Sequence, residues 1–223
     1  MRQMWHSIVI ALGICGCVYT AFGDTITIYN TGESTTGTAL PIGTTDPNFS
    51  LISAPAGVPL TAITSSPDSF WIGNTTTADW ISPSSNGSTS WPVGTYDYQT
   101  SFNLTGLDPA TAQLSGQWTS DNNACIDLNG VNTGSCSPFG GFDSLLSFSI
   151  TTGFQSGVNT LDFVVTNGGG PTGLFAEISG MATVLGSTVP EPSFRWPLLG
   201  MSLLAAGLFR RRTLIARNPP TPE

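Results

Sequence analysis

Tyr96, Tyr98, Thr100, Phe102 and Leu104 alternate without a break with Asp97, Gln99, Ser101 and Asn103. A period of two places the first set on one face of an extended strand and the second set on the other. A helix, with about 3.6 residues per turn, cannot separate them that way. The pattern recurs along the chain. Ala112, Leu114, Gly116 and Trp118 predict a second strand, Ile126 and Leu128 a third, and Leu146, Phe148 and Ile150 a fourth. Leu161, Phe163 and Val165, then Leu174, Ala176 and Ile178, predict two more. Ile26 and Ile28 are expected to open the sheet. Phe70 with Ile72 is expected to add a strand, and Trp71 to Trp80 to form a hairpin around an Asn74–Thr77 turn. Gly, Ser, Thr, Asn and Pro interrupt the runs at roughly 8 to 12 residues, the spacing of a sandwich or barrel. No useful helix-period run occurs between Asp24 and Val189. The fold class is therefore all-β: an antiparallel β-sandwich of jelly-roll type over residues 24–185, with one core.

The same stretch, Asp24 to Val189, contains no Lys, Arg or His; the single His of the chain is His6. Nucleic acid is excluded as a partner, because phosphate neutralisation needs Lys or Arg. Serine and cysteine hydrolase chemistry of the usual kind lacks its His or Lys base. A His-based zinc centre is likewise excluded, and two cysteines alone do not make one. Carboxylate-pair glycosidase chemistry survives this filter. Most of the acids are Asp in turn-like settings, however, where capping is their ordinary use. The expectation is a non-catalytic domain.

Cys125 and Cys136 flank Leu128-Asn129-Gly130-Val131, and Asn-Gly is the strongest two-residue hairpin signal. A loop over Asn129–Asn132 would set the two sulfurs opposite each other, and an even pair in an exported chain reads as a disulfide. The alternative is two free buried thiols.

Both ends carry export features. Arg2, the apolar run Ile8 to Tyr19, and Ala21-Phe22-Gly23 have the three parts of a secretory signal, with cleavage after Gly23. Residues 1–23 are thus expected to be removed. At the other end, 186–193 form a linker containing Val189-Pro190-Glu191-Pro192-Ser193. Residues 194–212 form an apolar helix closed by Arg210, Arg211 and Arg212, and 213–223 a tail. A straight span needs about 20 apolar residues, so the helix is short, but its flanking arginines can snorkel. The positive-inside rule keeps the Arg cluster and the tail in the cytoplasm and the preceding domain outside.

Val189 to Ser193, the apolar helix and Arg210–Arg212, in that order, resemble the PEP-CTERM sorting signal of Gram-negative bacteria. That resemblance implies an exosortase as partner and processing near Pro190-Glu191-Pro192. It also implies an inner-membrane intermediate, and a final place at the cell surface or in an extracellular polysaccharide (biofilm) matrix. Here the chain runs on from Thr213 to Glu223, where the family usually ends soon after the Arg cluster. A second resemblance covers Tyr96 to Ala182. Ile126-Asp127-Leu128-Asn129-Gly130 and Gly157-Val158-Asn159-Thr160-Leu161 look like the turn and strand entry of galactose-binding-domain-like jelly rolls. It implies the fold, with sugar binding as one use of it.

Candidate site residues follow from chemistry. Trp faces stack on the apolar faces of sugar rings while Asp and Asn bond their hydroxyls, although core packing is the default use of Trp in a sandwich. Trp118, in register with Leu114, reads as core. Trp80 and Trp91 bracket the Ser/Gly/Asn-rich run Ser82–Ser90, and with Asp121 and Asn123 they are the candidate glycan contacts. Asp121 and Asp127 are also candidates for a structural calcium ion, which takes oxygen ligands, with turn capping as the competing use. No other cofactor is expected. The functional expectation is association with extracellular polysaccharide. A structural or adhesive protein that binds other proteins is the alternative, and a glycoside hydrolase stands behind both.

Overall fold

A computed structural model describes residues 23–186. The signal segment with Ala21, the Val189–Ser193 motif, the apolar helix and Arg210–Arg212 lie outside the described residues. Eleven strands fall in chain order as β1 Asp24–Thr25, β2 Ser50–Ser53, β3 Ile63–Ser65, β4 Trp80–Ser82, β5 Gly94–Asn103, β6 Gln113–Asp121, β7 Asn123–Leu128, β8 Val131–Cys136, β9 Leu146–Ile150, β10 Val158–Asn167 and β11 Gly173–Ala182. They make two antiparallel sheets. One runs β3-β4-β11-β6-β9, with β1 paired to the Met181–Ala182 end of β11; the other runs β2-β5-β10-β7-β8. Apart from the β7–β8 hairpin, successive strands from β5 onward cross from one sheet to the other, as a jelly roll winds.

The two-residue period decides the packing. Tyr96, Tyr98, Phe102, Leu161, Phe163 and Val165 point inward from one sheet. Leu114, Trp118, Leu174, Ala176 and Ile178 meet them from the other. The Trp118 and Phe163 rings, 5.6 Å apart between centroids, join the two layers. β5 pairs with β10 over their whole length, from Asn103 opposite Val158 to Gly94 opposite Asn167. Ile26 is buried beside β1 and its N–H donates to Gly180 at 3.0 Å.

A smaller apolar cluster lies on the outer face of the six-stranded sheet. Trp80 of β4 and Phe175 of β11 point outward there, and Trp71, Ile72, Phe142 and Leu145 cover them. The covering segment is not the strand that Phe70 and Ile72 predict. The Asp68 carboxylate accepts from the Phe70 N–H (3.1 Å) and the Asp68 carbonyl from the Trp71 N–H (3.1 Å), so a turn takes the groups a ladder would need. Phe70 is left 74 % exposed. The expected Trp71–Trp80 hairpin is replaced by ring stacking at 4.1 Å, and of the two only Trp80 lies in a strand.

Asn129-Gly130 forms the β7–β8 turn, both residues at positive φ (54° and 75°), as a two-residue primed turn requires. The turn is thus two residues, not the four of Asn129–Asn132. Leu128 pairs with Val131, and a bulge between Cys125 and Asp127 then absorbs the difference in register. Cys125 comes to face Cys136, and the two are disulfide-bonded. Among the described residues no helix is long and apolar enough to cross a membrane.

Candidate functional site

A cavity of about 270 Å³ opens at one pole of the sandwich, lined by Asp68, Phe70, Trp71, Asp121, Asn122, Phe142, Gly169 and Pro171. Four segments meet there: the turn before β4, the β6–β7 corner, Phe142 of the β8–β9 connection and the β10–β11 connection. The β6–β7 corner and the β10–β11 connection are tied together twice. Asn122 Oδ1 accepts from the Gly168 N–H at 2.6 Å, and the Thr172 hydroxyl donates to the Asp121 carbonyl at 2.7 Å. The Trp91 N–H donates to the Gly170 carbonyl at 2.8 Å. Gly169 and Gly170 take φ of 114° and 86°, conformations that suit glycine and let the loop fold back over the β6–β7 corner.

Asp121 is the buried polar centre of this pole, 4 % exposed. The Trp71 indole Nε1 donates to its Oδ2 at 2.8 Å and the Asn122 amide donates to its Oδ1 at 2.6 Å. Burial pushes its carboxyl up to about 6 despite those donors, and the negative charge of Asp68 adds to the rise. Asp68 sits in the opposite environment. Its oxygens accept from the Ser88 hydroxyl (2.7 Å) and from the Phe70 N–H, and the Ser88 bond above all holds it below the ordinary carboxylate range.

Apolar surface surrounds these acids. Phe70, Phe139 and Val93 are 74 %, 71 % and 69 % exposed. Phe139 borders the cavity: a β-carbon placed on Gly168 would meet its Cε2 at 3.0 Å and Asn122 Oδ1 at 3.3 Å. Val93 lies 3.6 Å from the corresponding position on Gly169. Exposed rings beside fixed carboxylate and amide oxygens, with donors held by Asn, form a surface that can stack on an apolar ring face and bond hydroxyls.

The sequence-based candidates divide around this pole. Asp121 lies in the cavity. Trp80 does not present a ring to solvent: it is 0 % exposed, stacked beneath Trp71, with its Nε1 donating to the Ile72 carbonyl at 2.9 Å. An outward-facing strand position reads as available only until another segment covers it. Trp91 is half-buried and packs against the main core, while its backbone holds the β10–β11 loop. Asn123 begins β7 opposite Thr166, and its neighbour Asn122 reaches the cavity. Asp127 sits four residues further along β7, about 13 Å away at strand rise, opposite Asp162 on the outer sheet face. Asp121 and Asp127 therefore do not share a site, and among the described residues no group of three or more His, Cys, Asp or Glu side chains could hold a metal ion. Sequence reasoning missed Asp68, Phe70 and Phe142. Aromatic residues in an Asp-Ser-Phe-Trp turn were the available signal, masked by their resemblance to a strand.

A second acidic place lies on the open face of the five-stranded sheet. Asp162 pairs with Gln99 on one side and with Asp127 on the other, and Gln99 Nε2 donates to Asp162 at 2.6 Å. Burial pushes the neighbouring Asp97 up to about 6, and Asp162 and Asp127 add to it.

The chain matches no protein-family model and no curated protein sequence. Among solved structures it is similar to a family 35 carbohydrate binding module from an environmental isolate, at 16 % identity and a TM-score of 0.33, covering 62 % of this chain and 93 % of that one. A CBM35 from Paenibacillus barcinonensis overlaps at 17 % identity and a TM-score of 0.32, covering 59 % and 93 %. The CBM36-1 domain of a multidomain xylanase from the hindgut metagenome of Trinervitermes trinervoides overlaps at 12 % identity and a TM-score of 0.29, covering 72 % and 96 %.

Proposed function

We propose that the polar cavity at Asp68, Phe70, Trp71, Asp121 and Asn122 is a carbohydrate-binding site, and that the protein is a non-catalytic, exported component associated with extracellular polysaccharide. The observation that carries this is Phe70: an aromatic side chain 74 % exposed at the rim of a cavity whose wall holds Asp121 and Asn122. Isolated exposed apolar residues need no explanation, but a ring beside buried polar groups is the ordinary composition of a small-ligand site. The Trp71–Trp80 stack holds the floor rigid, so little ordering cost remains for binding.

Export and sorting belong to the same reading. The PEP-CTERM-like segment would make an exosortase the processing partner and the inner membrane a station before the surface. β11 runs from Gly173, paired with Asp121, to Ala182, about 30 Å away. The cavity therefore lies at the opposite end of β11 from Ala182.

The test is a polysaccharide pull-down and glycan array with the full-length chain and its F70A variant. Binding above background that F70A abolishes supports the site; absence of binding to every glycan, with cell aggregation still altered on deletion, favours the protein-adhesion alternative. A reducing-end assay on the bound polymer addresses catalysis. New ends lost in D68N would replace the non-catalytic reading with a glycosidase built on Asp68 and Asp121.

A further inference from the structure

We infer that the ligand of this cavity is a cationic saccharide, a polymer of hexosamine whose amino groups are free rather than acetylated. The inference rests on the carbohydrate reading above and specifies its chemistry. The ionisable side chains lining the cavity are both carboxylates, Asp68 and Asp121. Nothing between Asp24 and Gly186 can neutralise them, because that stretch contains no Lys, Arg or His.

Asp121 is the sharper case. It is 4 % exposed, and both its side-chain partners, Trp71 Nε1 and the Asn122 amide, are neutral donors. A carboxylate taken out of water is costly unless it is paired with a cation, and here Asp68 adds a second negative charge to the same field. The result is a carboxyl pushed up to about 6, still ionised at neutral pH. An ammonium group entering the cavity would be attracted by both acids at once, in a setting less screened than open water.

The apolar rim agrees. An exposed phenyl face takes either the C–H face of a pyranose or an adjacent ammonium, and Phe70 offers one beside Asp68, whose carboxylate accepts from the Phe70 N–H. A uronic acid or sulfated sugar meets the opposite situation, like charge against like with no bridging cation side chain. A neutral sugar meets the rings but brings no positive charge to either carboxylate.

The experiment is calorimetric titration of the full-length chain with three hexasaccharides of one linkage: fully deacetylated glucosamine, fully N-acetylated glucosamine and glucose. Hexalysine serves as a polycation without a sugar. Runs at about 0.02 and 0.5 M salt separate screened from unscreened attraction. The deacetylated sugar is expected to bind at least about tenfold tighter than the other two at low salt, equivalent to about 1.4 kcal/mol. That preference should shrink at high salt and in D68N, whose side chain is half-buried at the cavity rim and whose fold is checked by circular dichroism. F70A should weaken all three sugars. Equal binding of acetylated and deacetylated sugars, still lost in F70A, overturns the cationic inference and leaves the carbohydrate site standing. Hexalysine binding as tightly as the deacetylated sugar, indifferent to F70A, overturns it in favour of a basic peptide. Binding of none of the sugars removes the carbohydrate reading itself.

Discussion

The Trp71 indole donates through Nε1 to Asp121 Oδ2 at 2.8 Å, and its ring stacks on Trp80 at 4.1 Å. One side chain thus joins the outer apolar cluster to the acid of the cavity. Replacing Trp71 by Phe keeps much of the stack and deletes the donor. A buried carboxylate left short of a partner costs about 1–3 kcal/mol. W71F should therefore lower Tm by roughly 3–8 °C and raise the Asp121 pKa further, measured by scanning calorimetry and by carboxyl NMR titration. An unchanged Tm would mean that water replaces the indole and that the pole is less dry than its geometry indicates.

Phe70 predicts the converse. It is 74 % exposed, and removal of an exposed side chain usually changes stability by no more than about 0.5 kcal/mol. F70A should unfold within roughly 2 °C of the parent while losing glycan retention on affinity electrophoresis. Loss of both together would assign Phe70 to the fold and leave the cavity without its stacking surface.

Acid should stabilise this domain rather than unfold it. The Asp79, Asp97 and Asp121 carboxyls are each pushed from 3.8 up to about 6, in every case first by burial. Between pH 4 and 6 the folded chain therefore holds protons that the unfolded chain has already released. Stability falls as pH rises through that window. Asp68, held low chiefly by its Ser88 bond, works in the opposite sense, and only below its ordinary value of 3.8. Tm near pH 4.5 should exceed Tm near pH 7.5 by roughly several degrees, and a monotonic fall toward acid would contradict the buried-acid picture.

The Cys125–Cys136 bond closes a separation of 11 residues. In the chain-entropy model a loop of that size contributes on the order of 2–3 kcal/mol. The double Cys→Ala variant should lose about that much in urea titration and keep its glycan affinity, because the bond crosses β7–β8 whereas the cavity lies at the β6–β7 corner and the β10–β11 connection. Loss of affinity would couple the hairpin to the pole.

What the sequence shows plainly is what a period of two can show. Tyr96, Tyr98, Leu114 and Trp118 alternate with polar neighbours, and the structure buries all four. Segments whose neighbours satisfy their backbone locally are harder to read. Phe70-Trp71-Ile72 is as apolar as a strand, yet one carboxylate two residues before Phe70 makes it a turn. Strands β2 and β3 are only four and three residues long, too short for alternation to accumulate. The site was half legible: Asp121 is chemically conspicuous, but Trp80 and Trp71 differ only in which one covers the other, a relation between chain segments that no local pattern contains.

Gly116 tests the packing where propensity and tertiary structure disagree. It lies inside β6, opposite Phe148 of β9 and Ile178 of β11. On propensity alone, Gly to Ala within a strand gains about 0.5–1 kcal/mol. Here a β-carbon would drive into the Glu177 carbonyl oxygen and meet Phe148 Cε1 at 2.8 Å. The Phe148 ring occupies the space that the missing side chain leaves, as aromatic side chains do over strand glycines. G116A should therefore destabilise by at least about 2 kcal/mol, within the range for overpacking a filled core. Adding F148A removes the ring but not the Glu177 backbone, so the double variant should be no more stable than G116A alone. Recovery in the double variant would place the conflict in the ring, and tolerance of G116A by itself would mean that β6 and β11 can separate without loss.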